Sequence, residues 1–274
     1  MRYALVNGEK VEAQKGLIGI CPGCRQPVIA KCGEHKIHHW AHKSQKECDN
    51  WWEPETEWHR TWKDNFPKDW QEIFLPDPKT GENHIADVRT SHGLVVEFQH
   101  SHIDPKERLS REQFYRNMIW VVDGNYRKRD YARFSKGIIQ GRSFRWKNFL
   151  LILDPSKCFP KPWTESARPV FYDFPSPASN VHSSTSYLSC LLPIRLGDAG
   201  LYCQFLKQDF IKMVKSGEIN IFLNRYINIF KIVSQQFDYN TFKMLGKNDE
   251  LHIWLHIFLE DLYKKLNKKS NVRH

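Results

Sequence analysis

The chain has no apolar run long enough to cross a membrane. Its first residues, Met1-Arg2-Tyr3-Ala4, lack the apolar core of a secretory leader, so a cytoplasmic location is expected. It carries no internal repeat and no low-complexity tract, which sets aside repeat architectures and biased linkers as the organising principle. Acidic residues are in short supply: 31 against 41 lysines and arginines, a net charge of +10. That balance favours an anionic partner, a nucleic acid or a membrane surface. Seven cysteines are an odd number, and Cys21, Cys24, Cys32 and Cys48 crowd before residue 50, which suits a metal site better than a disulfide framework. The length, 274 residues, admits one large domain or two smaller ones.

The cysteines come with histidines. Cys21-Pro22-Gly23-Cys24 holds a turn between its thiols, and the run His38-His39-Trp40-Ala41-His42 follows. CxxC with HxxH (His39, His42) at zinc-finger distance is a four-ligand tetrahedral set, so structural Zn²⁺ is expected there. Cys48 could replace either histidine, and His38 or Cys32 could stand in. The ordinary alternative is reduced thiols beside surface histidines. Before this segment, Tyr3–Val6 and Lys10–Ala13 flank Asn7-Gly8, the favoured hairpin turn pair.

The second signal lies in His84–Ser101. Ile85–Thr90 alternates apolar and polar residues, Ser91-His92-Gly93 makes a turn, and Leu94–Gln99 is rich in branched apolar residues. Glu97 sits inside that apolar strand, where a carboxylate is costly unless paired or bound to a metal. Asp87 on the neighbouring strand can face the same way, and Gln99 shares the face of Glu97. Two carboxylates on adjacent strands can hold one Mg²⁺, or Mn²⁺, between them. The plain reading is a hairpin with two surface acids.

The flanks read as follows. Residues 50–66 form a helix with Thr56 as N-cap, and Trp58, Trp62 and Phe66 at core spacing. Glu55, His59 and Lys63 form a polar row, either a solvated face or a source of a third carboxylate, with Glu57 first and Glu55 in reserve. Residues 71–75 are a strand. Residues 105–117 are a helix opened by Asp104-Pro105, with Arg111 and Tyr115 on one face. Met118–Val122 is a buried strand. The order is helix, three strands, helix, strand.

Asp…Glu-x-Gln is a variant of the Asp…Glu-x-Lys pattern of PD-(D/E)XK nucleases, and the element order matches their αβββαβ core. The segments CPGC, HHWAH, ETEWHRTWK, IADV, VVEFQHSHI and REQFYRNMIWVVDG together resemble the competence protein CoiA-like family over about residues 18–125. The resemblance implies an α/β chain: an N-terminal zinc-binding segment, a PD-(D/E)XK core and a further region. It implies a metal-dependent nuclease acting on DNA, linked to uptake, processing or recombination and to the proteins of those processes. Asp87, Glu97, Gln99 and Glu57 would be catalytic, with Asp87 and Glu97 holding Mg²⁺. His59, Lys63, Arg111 and Tyr115 would surround the phosphates. Gln99 takes the place of the commoner lysine; being neutral, it can orient a water but cannot neutralise charge.

Residues 126–147 are basic, beginning with Arg127, Lys128 and Arg129, and are interleaved with Tyr126, Tyr131, Phe134, Phe144 and Trp146. They suit a nucleic-acid groove or a solvated core edge equally. Residues 148–180 look β-rich, Pro175–Ser186 reads as a linker, and residues 200–268 read as helices through Leu201, Phe205 and Phe210. The expected divisions are 1–50, 51–147 and 148–274. The rival functions are an inactive, DNA-binding accessory protein and a zinc-dependent regulator or scaffold.

Overall fold

A computed structural model describes residues 1–43, 49–174, 186–236, 244 and 249–271. The chain is mixed α/β and parts into two compact units, Met1–Trp120 and Val121–His274. No helix among the described residues is long and apolar enough to cross a membrane.

The first unit opens with a five-stranded antiparallel sheet: β1 (Tyr3–Val6), β2 (Glu9–Glu12), β3 (Ile18–Ile20), β4 (Pro27–Lys31) and β5 (His39–His42), in the order β2-β1-β3-β4-β5. Asn7 and Gly8 both take positive φ, as a tight hairpin turn requires, and set the register Val6↔Glu9. Ala4, Cys21, Val28 and Trp40 form the small core of this sheet. The Trp40 indole donates to the Val11 carbonyl at 2.9 Å.

The helix–strand succession expected from the sequence follows. It runs α1 (Glu57–Lys63), β6 (Gln71–Pro76), β7 (Asn83–Arg89), β8 (Val95–Gln99), α2 (Pro105–Tyr115) and β9 (Met118–Asp123), and the boundary between units falls within β9. The strands stand in the order β9-β8-β7-β6, with β6/β7 and β7/β8 antiparallel. All five residues of β8 are buried. Trp62 of α1 stacks on Phe98 of β8, ring centroids 5.6 Å apart, which lays the helix across the sheet. Asp104 caps α2 through the Lys106 N–H at 2.8 Å, with Pro105 at the first helical position.

The second unit contains α3 (Lys128–Gly141), β10 (Arg142–Trp146), β11 (Phe149–Ile152), α4 (Lys161–Thr164), β12 (Val170–Asp173), β13 (Tyr187–Leu196), β14 (Ala199–Leu206), α5 (Lys207–Ser216), α6 (Glu218–Gln236) and α7 (Asp249–Asn271). Its antiparallel strands run β10-β11-β14-β13-β12. Helices cover them through ring contacts such as Phe171–Phe210 at 4.6 Å and Phe149–Tyr226 at 4.5 Å. Leu201 and Phe205 belong to β14, not to a helix. A spacing of four is two strand repeats as well as one helical turn, so periodicity alone could not separate them. The linker stretch Pro175–Ser186 lies, but for Ser186, outside the described residues.

Candidate functional site

Two sites stand in the first unit. The first is built on the CxxC turn. Cys21 N–H donates to Gln26 O at 2.9 Å and Arg25 N–H to Cys21 O at 3.0 Å, closing the turn, with Arg25 at a φ of 60°. His42, at the end of β5, brings its Nε2 to 3.2 Å from Cys24 Sγ. The ligand atoms of Cys21, Cys24 and His42 all lie within 4.8 Å of one another. Two thiols and an imidazole fit a borderline-soft cation such as zinc.

His39 does not join them. Its Nδ1–H donates to Ile37 O at 2.8 Å. The HxxH run lies on a strand, where residues three apart point to opposite faces, so the two histidines cannot serve one ion as they would on a helix. His38 is exposed, and Cys32 lies outside the cluster; Cys48 falls outside the described residues.

The second site is a cavity of about 70 Å³ beneath α1 and the hairpin β7/β8. The ladder between these strands runs to Val88↔Val96. Beyond it, side chains replace carbonyls as acceptors. Asp87 N–H donates to Glu97 Oε1 at 3.1 Å, and Phe98 N–H to Asp87 Oδ2 at 3.0 Å. The hairpin thus forks around its own two acids. Glu97 is only 2% exposed, while the Asp87 side chain is 25% exposed. Burial, then the neighbouring Asp87, push the Glu97 carboxyl up to about 8; Arg111 pulls the other way. Burial also raises Asp87, against the pull of Lys63.

Two buried cations face this pair. Arg111 of α2 gives Nη1 to Glu97 Oε2 at 3.0 Å and shares its remaining donors between Glu107 and the Trp51 carbonyl. Lys63 of α1 touches Glu55, lies 3.0 Å from Glu72 and 3.9 Å from Asp87. Burial opposes the charge of Lys63, but Glu72, Glu55 and Asp87 outweigh it and raise its pKa. Glu72 is drawn down to about 2: burial would raise it, and Lys63, the N-terminal ammonium and the Arg2 N–H together outweigh that.

The polar row Glu55, His59, Lys63 therefore faces the cavity, not solvent. Glu55 lines the cavity, whereas Glu57, the first choice from sequence, is exposed at the start of α1. It lies two residues before His59, about 200° round the helix and so on the side away from the buried row. His59 is not free to bind a phosphate. Its Nδ1 accepts from Thr56 N–H at 3.2 Å in a capping box, and its Nε2–H donates to Phe98 O at 3.0 Å. Burial lowers its pKa, and these bonds fix the neutral tautomer.

Gln99 donates to Glu53 Oε1 at 2.5 Å, and Ser101 Oγ to Glu53 Oε2 at 2.9 Å. Tyr115 is buried, its hydroxyl without a hydrogen-bond partner among the described residues, and it packs against Phe114 and Trp51. Sequence reasoning missed Glu53, Glu72 and Asp49. Asp49 anchors the approach to α1 by accepting Ile85 N–H at 2.8 Å. Asp49, Glu53, Glu55, Glu72, Asp87 and Glu97 line the cavity against Lys63, Arg111 and the Met1 ammonium. Such a surplus of buried acid is what a bound cation would relieve.

Arg127, Lys128 and Arg129 are exposed at the start of α3 in the second unit. Among the interleaved aromatics Phe134, Phe144 and Trp146 are buried, so they are core, and Tyr126 is 48% exposed.

The class this defines is an α/β protein with a thiol–imidazole cluster in its leading sheet and a buried acidic cavity behind it. Residues 9–50 match the family described as competence protein CoiA, N-terminal domain, a likeness confined to that segment. No curated protein and no solved structure matches the chain.

Proposed function

We propose that the chain is a metal-dependent nuclease hydrolysing DNA phosphodiester bonds in DNA uptake, processing or recombination. The observation that carries this reading is the forked hairpin that holds Asp87 and Glu97 together in a cavity short of positive charge. The succession α1-β6-β7-β8-α2-β9 supports the reading, since it is the element order expected of a PD-(D/E)XK core. Asp87 and Glu97 would hold Mg²⁺ or Mn²⁺, which acidifies a water and stabilises the departing oxygen.

Gln99 is engaged by Glu53, and in this reading Lys63 supplies, from α1, the positive charge that a strand lysine would otherwise bring. Arg111 holds Glu97 in orientation. Zinc at Cys21, Cys24 and His42 would brace the leading sheet. The +10 charge suits a polyanionic substrate.

The test is degradation of labelled single- and double-stranded DNA with Mg²⁺, with Mn²⁺ and without divalent cations. Asp87→Ala and Glu97→Ala should each abolish cleavage and leave DNA binding. Gln99→Ala should lose ~10²-fold, as a positioning group does.

One observation favours a second reading. Arg111 already neutralises Glu97 at 3.0 Å, as it would in a retired site. Tight DNA binding by a wild type inert with both metals would establish an accessory protein instead.

A further inference from the structure

We propose that Glu72 is a positioning residue that holds the Lys63 ammonium off Asp87 and so keeps one Asp87 oxygen open to a divalent cation. This rests on the reading of the cavity as a metal-dependent site.

Glu72 stands opposite Asp87 in the strand register, between the pairs Gln71↔Val88 and Ile73↔Ala86. Its backbone takes a φ of 47°, a left-handed conformation that a non-glycine residue adopts only when its surroundings impose it. The imposition is visible. Both carboxylate oxygens accept the Arg2 N–H, at 2.9 and 3.0 Å, and Oε2 also accepts the Tyr3 N–H at 3.1 Å. The carboxylate is thus fixed from behind by the backbone of β1 and offers its front to Lys63 at 3.0 Å.

Lys63 is buried and stays among acids. It touches Glu55, which is itself anchored by Arg60 at 2.9 Å, and stops 3.9 Å from Asp87 Oδ1. That separation exceeds a hydrogen bond, and Oδ2 is taken by the Phe98 N–H. Oδ1 therefore faces a cation without being capped by it. Without the Glu72 charge, a move of about 1 Å would bring the ammonium into hydrogen-bonded contact with Asp87. It would then compete for the oxygen that a metal needs.

The experiment is calorimetric titration of the full chain with Mn²⁺ at neutral pH, with Asp87→Asn marking the binding that belongs to the cavity. Glu72→Gln keeps an acceptor for the β1 N–H groups and removes the charge. It should weaken Mn²⁺ binding by about tenfold or more, the scale of one rearranged ion pair. Glu72→Asp, with the charge drawn back by a methylene, should give a smaller loss. Adding Lys63→Met to Glu72→Gln should restore affinity, because the competing ammonium is gone.

If Glu72 only docks β1, Glu72→Gln lowers the melting temperature and leaves Mn²⁺ affinity unchanged, and the proposal falls. Restoration failing in the double variant also overturns it. A wild type with no Asp87-dependent Mn²⁺ binding overturns this inference and the metal-dependent reading together. The expected affinities without DNA cleavage would leave Glu72 its role and remove the nuclease alone.

Discussion

Replacing Lys63 by methionine keeps the length and apolar stem of the side chain and deletes one buried charge. Its expected cost can be worked from the residues it touches. Lys63 is 2% exposed, and Glu55, Glu72 and Asp87 all face its ammonium. A Glu72 carboxyl held at about 2, against an ordinary 4.5, corresponds to ~3 kcal/mol of stability at neutral pH, of which Lys63 supplies a share beside the N-terminal ammonium and the Arg2 N–H, and the Glu55 and Asp87 charges left behind add to the loss. That agrees with the ~3–5 kcal/mol lost when one partner of a buried pair is removed and the other is left uncompensated.

The sign in pH follows. A folded pKa below the ordinary value stabilises above about 4.5 and is lost as pH falls through about 2. Urea unfolding should therefore show Lys63→Met weaker than wild type by ~3–5 kcal/mol at pH 7, with the gap narrowing as pH drops below about 4.5. Glu72→Gln added to Lys63→Met should recover part of the loss. A difference below ~1 kcal/mol at pH 7, the scale of an exposed pair, or a gap that ignores pH, would refute the reasoning.

Purified, untagged protein should carry about one zinc per chain by elemental analysis. Cys24→Ser and His42→Ala should lose it and His39→Ala should keep it; metal retained by His42→Ala would sink this ligand set. The folded pKa of Glu97, raised from 4.5 to about 8, makes the opposite pH signature to Glu72. Stability should fall as pH rises from about 4.5 through about 8, and Glu97→Gln should flatten that fall; parallel curves for the two proteins would contradict it. DNA affinity should drop steeply with salt, and alanine at Arg127, Lys128 and Arg129 should shallow the slope, unless the phosphates bind elsewhere.

The hairpin and its acids were legible because a carboxylate in the run Val95-Val96-Glu97-Phe98 has no cheap apolar explanation. The same signal stood at Glu72, in Gln71-Glu72-Ile73-Phe74-Leu75, and could have been used. The row Glu55, His59, Lys63 was visible as a face, but a polar face on water and a polar face on a buried cavity have the same period. Glu53 reaches Gln99 across 46 positions of sequence, a closure that no local pattern encodes. The pairing of His39 with His42 failed for a local reason: three positions share a face on a helix and part on a strand.

The glycine of the CxxC turn carries one more consequence. A Cβ on Gly23 would lie 2.1 Å from the ring of Phe74 in β6. The spacer between the two thiols is therefore set by a ring outside the cluster as well as by the chemistry of the ion. Positions 23 and 74 should drift together among related chains, a side chain at 23 arriving only where 74 has shrunk. An alanine grafted at 23 alone would push the cysteines away from β6, and a smaller residue at 74 would let them return.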